Sequence, residues 1–294
     1  MLEVAFFGLG VWGRLLKDKL RDNNKTIPMY FCDIDKRKKS LLKGQNHIQN
    51  FTTDYRKIKN PDVAIVATYP QSHPEIAEYS LEEGADVFVE KPAACSVEEI
   101  DNLRKTAENQ GRKIAVGFQE NYNNPHIKSI LGNREIIEVV DHRNIKDPHL
   151  SNRLAGCHLV DDVPFIHNIE SLNYLYGIKT DSIRTLWLSE NSLASEFECE
   201  NGVRGKEICN WVDDKTDRYV EFKTPEGNIY VELGMNLKVT DISKSYEIPI
   251  GDKVGMLIND FIDSINNNRE PRTSLQDENV FKTHVDTLKI IGRC

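Results

Sequence analysis

The chain has 294 residues with 38 Lys and Arg against 46 Asp and Glu, a formal net charge of −8. Hydrophobic residues make up 39% and charged residues 29%, a globular composition, and at roughly 150 residues per domain the length suggests two domains. An acidic balance with no long basic run argues against a nucleic-acid or anionic-membrane partner, and no run of about 18 apolar residues exists to span a bilayer.

The N-terminus, MLEVAFFGLGVWGRLL, has no basic leader and no small-residue cleavage site, so it reads as a strand and a helix rather than a signal peptide. Residues 4–7 are an apolar run ending at Gly8, and Val11, Trp12, Leu15, Leu16 and Leu20 then recur at helical spacing. A second apolar run covers 29–32, followed by a charged helical stretch at about 35–42. The strongest strand signal is 62–68 (DVAIVAT), apolar on both faces as a strand covered on both sides must be. Residues 74–83 read as a helix with Gly84 just beyond its end, and 86–89 as a strand. Ser96-Val97-Glu98-Glu99 is a capping box that opens another helix, and 113–117 is the last strand of the series. Strands alternating with helices require crossovers, hence a parallel, doubly wound sheet.

After residue 120 the texture changes. Segments 135–140, 182–188, 219–223, 228–233 and 245–250 read as strands, with helices near 164–176 and 254–265. Runs of strands without regular helices point to an antiparallel sheet. The expected fold is α/β: a doubly wound parallel sheet over 1–120, then an α+β domain with an open, mostly antiparallel sheet over 121–294. Six cysteines, at 32, 95, 157, 199, 209 and 294, form no C-x-x-C pair or zinc-ligand spacing. They read as reduced thiols of a cytoplasmic protein, with no metal site.

Gly8-Leu9-Gly10-Val11-Trp12-Gly13 is G-x-G-x-x-G, set between an apolar strand and an amphipathic helix. That context suits a dinucleotide. Gly8 allows a tight turn, Gly10 lets the backbone approach a pyrophosphate, Gly13 lets helix and strand pack closely, and the helix start, at Val11 and Trp12, offers bare N–H groups to an anion. Asp33 lies twenty residues after Gly13 at the end of the second strand. Its carboxylate can accept from an adenosine ribose and would repel a 2′-phosphate, which favours NAD; Lys36 and Arg37 just beyond could instead hold the phosphate of NADP. Glu90-Lys91-Pro92 follows the 86–89 strand. Ligands of such sheets bind beyond the carboxyl ends of the strands, so Lys91 falls beside a bound nicotinamide, although position alone describes an ordinary solvated lysine equally well.

With these segments in place, the chain resembles the Gfo/Idh/MocA family of NAD(P)-dependent oxidoreductases. The resemblance rests on GLGVWG at 8–13, VATYPQSH at 66–73, EEGADVFVEKP at 82–92, VGF at 116–118, and a C-terminal helix followed by REPRTSLQD at 269–277. It implies a Rossmann domain followed by an α/β domain with a large open sheet. It implies that Lys91 is the catalytic lysine at the substrate hydroxyl, with Glu90 beside it and Thr68 near the cofactor. His73 falls at a family position, where capping the following helix is the plainer role. The family's Asp-x-x-x-His motif is met by His167, but the aspartate slot is Val163, with Asp162 one residue away. A histidine exchanges protons near neutrality, so the resemblance makes His167 a second catalytic candidate. Tyr122 sits where relatives place an aromatic facing the substrate, flanked by Asn121 and Asn123 instead of basic residues. His142, Arg153 and His158 are candidate substrate contacts, though each reads more plainly as a surface or packing residue.

The resemblance implies hydride transfer between nicotinamide and a carbinol or keto carbon of a sugar, cyclitol or nucleotide-linked sugar. Two competing readings are a non-catalytic NAD(H)-binding regulator, for which Val163 speaks, and a non-redox reaction through transient oxidation. The expected assembly is a homo-oligomer, a dimer or tetramer, because open sheet faces are commonly covered by a second subunit.

Overall fold

The computed structural model describes residues 1–21, 23–42, 50–144, 166–189, 192–210 and 217–292. The chain divides into two compact units, Met1–Phe118 with Val254–Val280, and Gln119–Lys253 with Phe281–Cys294. The first unit thus includes a returning C-terminal segment that a division by chain order at residue 120 assigns to the second.

The first unit is built on six parallel strands: β1 (Leu2–Phe7), β2 (Thr26–Cys32), β3 (Asn50–Thr52), β4 (Val63–Val66), β5 (Asp86–Val89) and β6 (Ile114–Val116). Their order is β3-β2-β1-β4-β5-β6, with every neighbouring pair parallel. All of β4, β5 and β6 is buried, which is why these strands are continuous apolar runs. The order reverses beside β1, and ligands of such sheets bind at that switch point, beyond the carboxyl ends. Helix α1 (Val11–Arg21) packs on β1 and β2, and α2 (His73–Glu82) on β4 and β5. Helix α3 (Val97–Gln110) starts at Ser96, whose side chain accepts from the Glu99 N–H, and stops at Gly111 in the left-handed conformation (φ 60). The stretch Lys36–Leu42 is a 3-10 helix rather than an α-helix. The returning segment covers the β6 edge: Val116 N–H donates to Thr273 O at 3.0 Å and Leu275 N–H to Ile114 O at 2.9 Å.

The second unit begins with a 3-10 turn (Gln119–Tyr122) and α4 (Asn124–Leu131). Its sheet comprises β7 (Glu138–Asn144), β8 (Arg184–Leu188), β9 (Ser192–Glu198), β10 (Arg204–Asn210), β11 (Asp217–Thr224), β12 (Gly227–Leu233), β13 (Asn236–Asp241) and β14 (Lys244–Pro249). The order is β14-β13-β12-β11-β7-β10-β9-β8, and only β7 with β10 is parallel. Helix α5 (Ile166–Tyr176) packs on β10. Helices α6 (Lys253–Asn266) and α7 (Glu278–Ile290) complete the chain. The α/β class, a parallel sheet followed by a mostly antiparallel one, is as expected. Among the described residues, no helix is long and apolar enough to cross a membrane.

Candidate functional site

At the end of β1 the three glycines have different reasons to be glycine. Gly8 has φ +91, and a Cβ there would lie 2.4 Å from the Ala67 carbonyl oxygen. A Cβ on Gly13 would lie 1.9 Å from the Gly8 carbonyl oxygen. Both are demanded by the protein's own packing. A Cβ on Gly10, in contrast, would meet nothing within 4 Å. The space above Gly10 is open, as the approach of a ligand to the backbone requires, and the first turn of α1 holds no acidic residue to oppose an anion. Val11 and Trp12, at the helix start, are both exposed.

Asp33 follows β2 and is buried. Its Oδ2 accepts from the Leu9 N–H at 2.7 Å and from Lys38 Nζ at 2.8 Å, and its Oδ1 from the Asp35 N–H at 2.9 Å. It therefore clamps the glycine loop from below and carries an ion pair. Ile34 beside it is 82% exposed, and Tyr69, after β4, is 67% exposed. Large apolar side chains standing in water at the carboxyl ends of β2 and β4 suit the flat faces of a dinucleotide. The glycine loop, Asp33 and these side chains fit an adenine dinucleotide in this unit.

Thr68 follows β4, and its Oγ1 accepts from Ser72 Oγ at 2.8 Å. His73 opens α2 and is buried, with Nδ1 2.7 Å from Pro92 O and Nε2 3.1 Å from Thr68 O. It ties the turn after β4 to the turn after β5. Glu90 is buried after β5 with its carboxylate against Gly117, where a Cβ would come within 2.8 Å of Oε2. The Lys91 N–H lies 3.3 Å from Glu90 Oε2, and Lys91 is half-buried. Thus Gly8, Gly10, Val11, Trp12, Gly13, Asp33, Thr68, His73, Glu90 and Lys91 all stand at the carboxyl ends of β1, β2, β4 and β5, or in the loops and helix starts that follow. Lys38, Ile34 and Tyr69 join them. Nothing in the motif spacing singles those three out.

In the second unit, α5 carries His167, which is buried with Nδ1 3.2 Å from Glu170 Oε2, one helical turn on. This pair belongs to a larger buried polar cluster. Glu120 accepts from Arg218 Nη1 at 2.8 Å, from Lys253 Nζ at 3.1 Å and from Asn123 Nδ2. Asn168 Nδ2 donates to Glu207 Oε1 at 2.6 Å. Asp141 on β7 stands directly opposite Glu207 on β10, and Arg143 opposite Arg218 on β11. Both Asp141 oxygens, Glu207 Oε2 and Arg218 Nε and Nη2 are buried without a hydrogen-bond partner.

Burial and charge pull these carboxyls apart. Burial alone would raise Glu120, but the Arg218, Lys253 and Arg143 charges outweigh it and hold the group below the ordinary glutamate range. Burial lifts Asp141 to about 6 against the pull of Arg218 and Arg143. Burial, with the Glu120 charge, lifts Glu170 well above its ordinary value, and burial with the Asp141 charge does the same for Glu207. A cluster whose carboxyls are pushed in opposite directions, with polar atoms left over, is poised to exchange hydrogen bonds with a ligand. Perturbed carboxyls of this kind concentrate at functional sites.

Tyr122 is half-buried in the 3-10 turn beside Asn121 and Asn123, both buried. Asp162, Val163, Arg153 and His158 lie outside the described residues. His142 stacks on Tyr219 with ring centroids 4.8 Å apart. Among the described residues there is no group of three His, Cys, Asp or Glu able to hold a metal ion. Of the unit's cluster, sequence reasoning reached only His167. Glu170 lies one turn on in the same helix, and Glu120, Asp141, Glu207, Arg218 and Lys253 come from distant segments with no local motif.

Residues 2–118 match the family model described as oxidoreductase family, NAD-binding Rossmann fold (GFO_IDH_MocA). No curated protein sequence matches the chain. Among solved structures, UDP-N-acetylglucosamine 3-dehydrogenase from Acidithiobacillus ferrooxidans is 15% identical with a TM-score of 0.83, covering 99% of this chain and 97% of that one. Apo scyllo-inositol dehydrogenase from Lactobacillus casei is 13% identical with a TM-score of 0.80, covering 100% and 96%. Biliverdin reductase from Synechocystis sp. PCC 6803, in complex with biliverdin and NADP+, is 15% identical with a TM-score of 0.80, covering 99% and 96%. At these identities the likeness is one of fold.

Proposed function

We propose that this chain, whose residues 2–118 match the Gfo/Idh/MocA oxidoreductase family model, moves a hydride between NAD(P) and a carbinol or keto carbon of a sugar, cyclitol or nucleotide-linked sugar. The observation that carries the proposal is the sheet itself: the Gly8–Gly13 loop and Lys91 stand at the same, carboxyl, end of one parallel sheet of order 3-2-1-4-5-6. The substrate class follows from the sugar nucleotide and cyclitol named for two neighbours of the same fold.

The dinucleotide, when bound, supplies or accepts the hydride. The loop N–H groups hold its pyrophosphate, and Asp33 accepts from its ribose and favours NAD. Lys91 takes the proton from the substrate hydroxyl during oxidation. During reduction it returns that proton to the carbonyl oxygen, and its positive charge stabilises the developing alkoxide. On the motif resemblance alone, His167, paired with Glu170, is a second proton-exchanging group, and Tyr122 and Asp162 are substrate contacts. The working unit is a homo-oligomer, a dimer or tetramer: every residue of β8 is exposed, including Leu186, Trp187 and Leu188, and such an edge calls for a cover.

The test is a screen of polyols, cyclitols and keto-sugars with both coenzymes, read by nicotinamide absorbance. Turnover with at least one such substrate is expected. A protein that binds NADH yet turns over none of them contradicts the proposal.

A further inference from the structure

We propose that Lys38 sets the response of the dinucleotide site to a 2′-phosphate, so that the protein takes NADPH nearly as well as NADH despite the carboxylate at Asp33. The inference deepens the dinucleotide reading above and rests on it.

A carboxylate at the end of the second strand serves NAD by accepting from the ribose and excludes NADP by repelling the phosphate. Here that carboxylate is already engaged. The Lys38 ammonium lies 2.8 Å from Oδ2, the Leu9 N–H donates to the same oxygen at 2.7 Å, and the Asp35 N–H donates to Oδ1 at 2.9 Å. An ionised carboxylate offers about four acceptor positions, so three are committed and room remains for one ribose hydroxyl. The ion pair also cancels most of the negative field that would otherwise meet a phosphate.

The two partners are unequally exposed. The Asp33 side chain is 5% exposed and that of Lys38 is 32% exposed. The carboxylate is fixed in the protein, whereas the ammonium stands partly in water on a flexible four-carbon stem. It can turn to an arriving phosphate while staying close to Asp33. Arg37 is not equivalent, because its guanidinium is committed to Asp35 in a two-point contact at 2.8 and 2.9 Å. Lys38 is thus the member of the Lys36-Arg37-Lys38-Lys39 run that the structure puts on the discriminating carboxylate.

Fluorescence titration of the intact protein with NADH and with NADPH tests this without any substrate. In the wild type the two dissociation constants should lie within about tenfold of each other. Lys38→Met keeps the stem and removes the charge; it should weaken NADPH by about tenfold or more and leave NADH within about threefold. Lys38→Gln should shift the ratio the same way, and Lys38→Arg should restore it. The NADPH constant of the wild type should also rise more steeply with salt than that of NADH. An NADPH-to-NADH ratio that both neutral variants leave unchanged overturns the role of Lys38. Failure of the wild type to bind either nucleotide overturns the dinucleotide reading beneath it.

Discussion

The Nδ1 atom of His73 lies 2.7 Å from the carbonyl oxygen of Pro92, and its Nε2 lies 3.1 Å from the carbonyl oxygen of Thr68. One buried ring therefore joins the turns at the ends of β4 and β5, next to Lys91. Replacing it with an apolar side chain takes the ring N–H away from the carbonyl it serves. His73→Leu should cost about 1–3 kcal/mol in urea denaturation. An unchanged midpoint would show that the ring is not a tie.

Gly10 and Gly13 should separate binding from folding. Gly10→Ala adds a methyl only to open space, so its melting temperature should match the wild type while NADH binding is weakened. Gly13→Ala puts a methyl 1.9 Å from the Gly8 carbonyl oxygen and should destabilise the protein by about 1–3 kcal/mol or more. Equal melting temperatures for the two variants would contradict this division.

Asp141 should oppose folding at neutral pH. Its folded value, about 6, lies above the unfolded value of about 3.9, so the native state holds the proton more tightly. Its contribution to stability is complete below about pH 4 and is lost as pH rises through 6. Asp141→Asn should therefore gain about 2–3 kcal/mol at pH 7.5 and flatten the stability profile between pH 4 and 6. Chemical denaturation across that range reads both effects. A loss of stability at pH 7.5 would show that the attraction to Arg218 and Arg143 outweighs burial.

Glu120 should behave with the opposite sign. Its value is held below that of the unfolded chain, about 4.3, by Arg218, Lys253 and Arg143, so its contribution is present above that pH and vanishes as pH falls through the folded value. Glu120→Gln strands the buried Arg218 and the half-buried Lys253 and should cost about 3–5 kcal/mol at pH 7. The same substitution should shrink the acid-induced loss below pH 4, measured by the same denaturation series.

How much of this was legible in the sequence depends on where each element's inward side chains come from. Strands β1, β4, β5 and β6 are apolar on both faces, and the glycine loop has a fixed spacing, so the first sheet and most of its site could be read directly. Strand β10 could not: its inward residues are Gly205, Glu207 and Cys209, which make no apolar alternation. The same holds for α7, whose buried positions include Thr283, His284, Asp286 and Thr287. Strand β13 does alternate, with Leu237, Val239 and Asp241 inward, and that period of two was a usable signal.

The site divides in the same way. Asp33 is visible by its distance from Gly13, whereas Lys38 is one of four consecutive cations and only the fold selects it. In the second unit, His167 is reached through its motif. Of the four carboxyls around it, Glu170 lies on the same helix and Glu120, Asp141 and Glu207 come from three other stretches of chain, and they are buried against the rule that acidic residues lie outside. Charge in a core is invisible to hydrophobic patterning, which is why the cluster emerges only in three dimensions.

The most direct measurement of the central claim is the rate of hydride transfer in Lys91→Ala beside its NADH dissociation constant. The acid/base role predicts a turnover lower by about 10²–10⁴-fold with NADH binding within about threefold of the wild type. Turnover equal to that of the wild type, with the same coenzyme affinity, would contradict it.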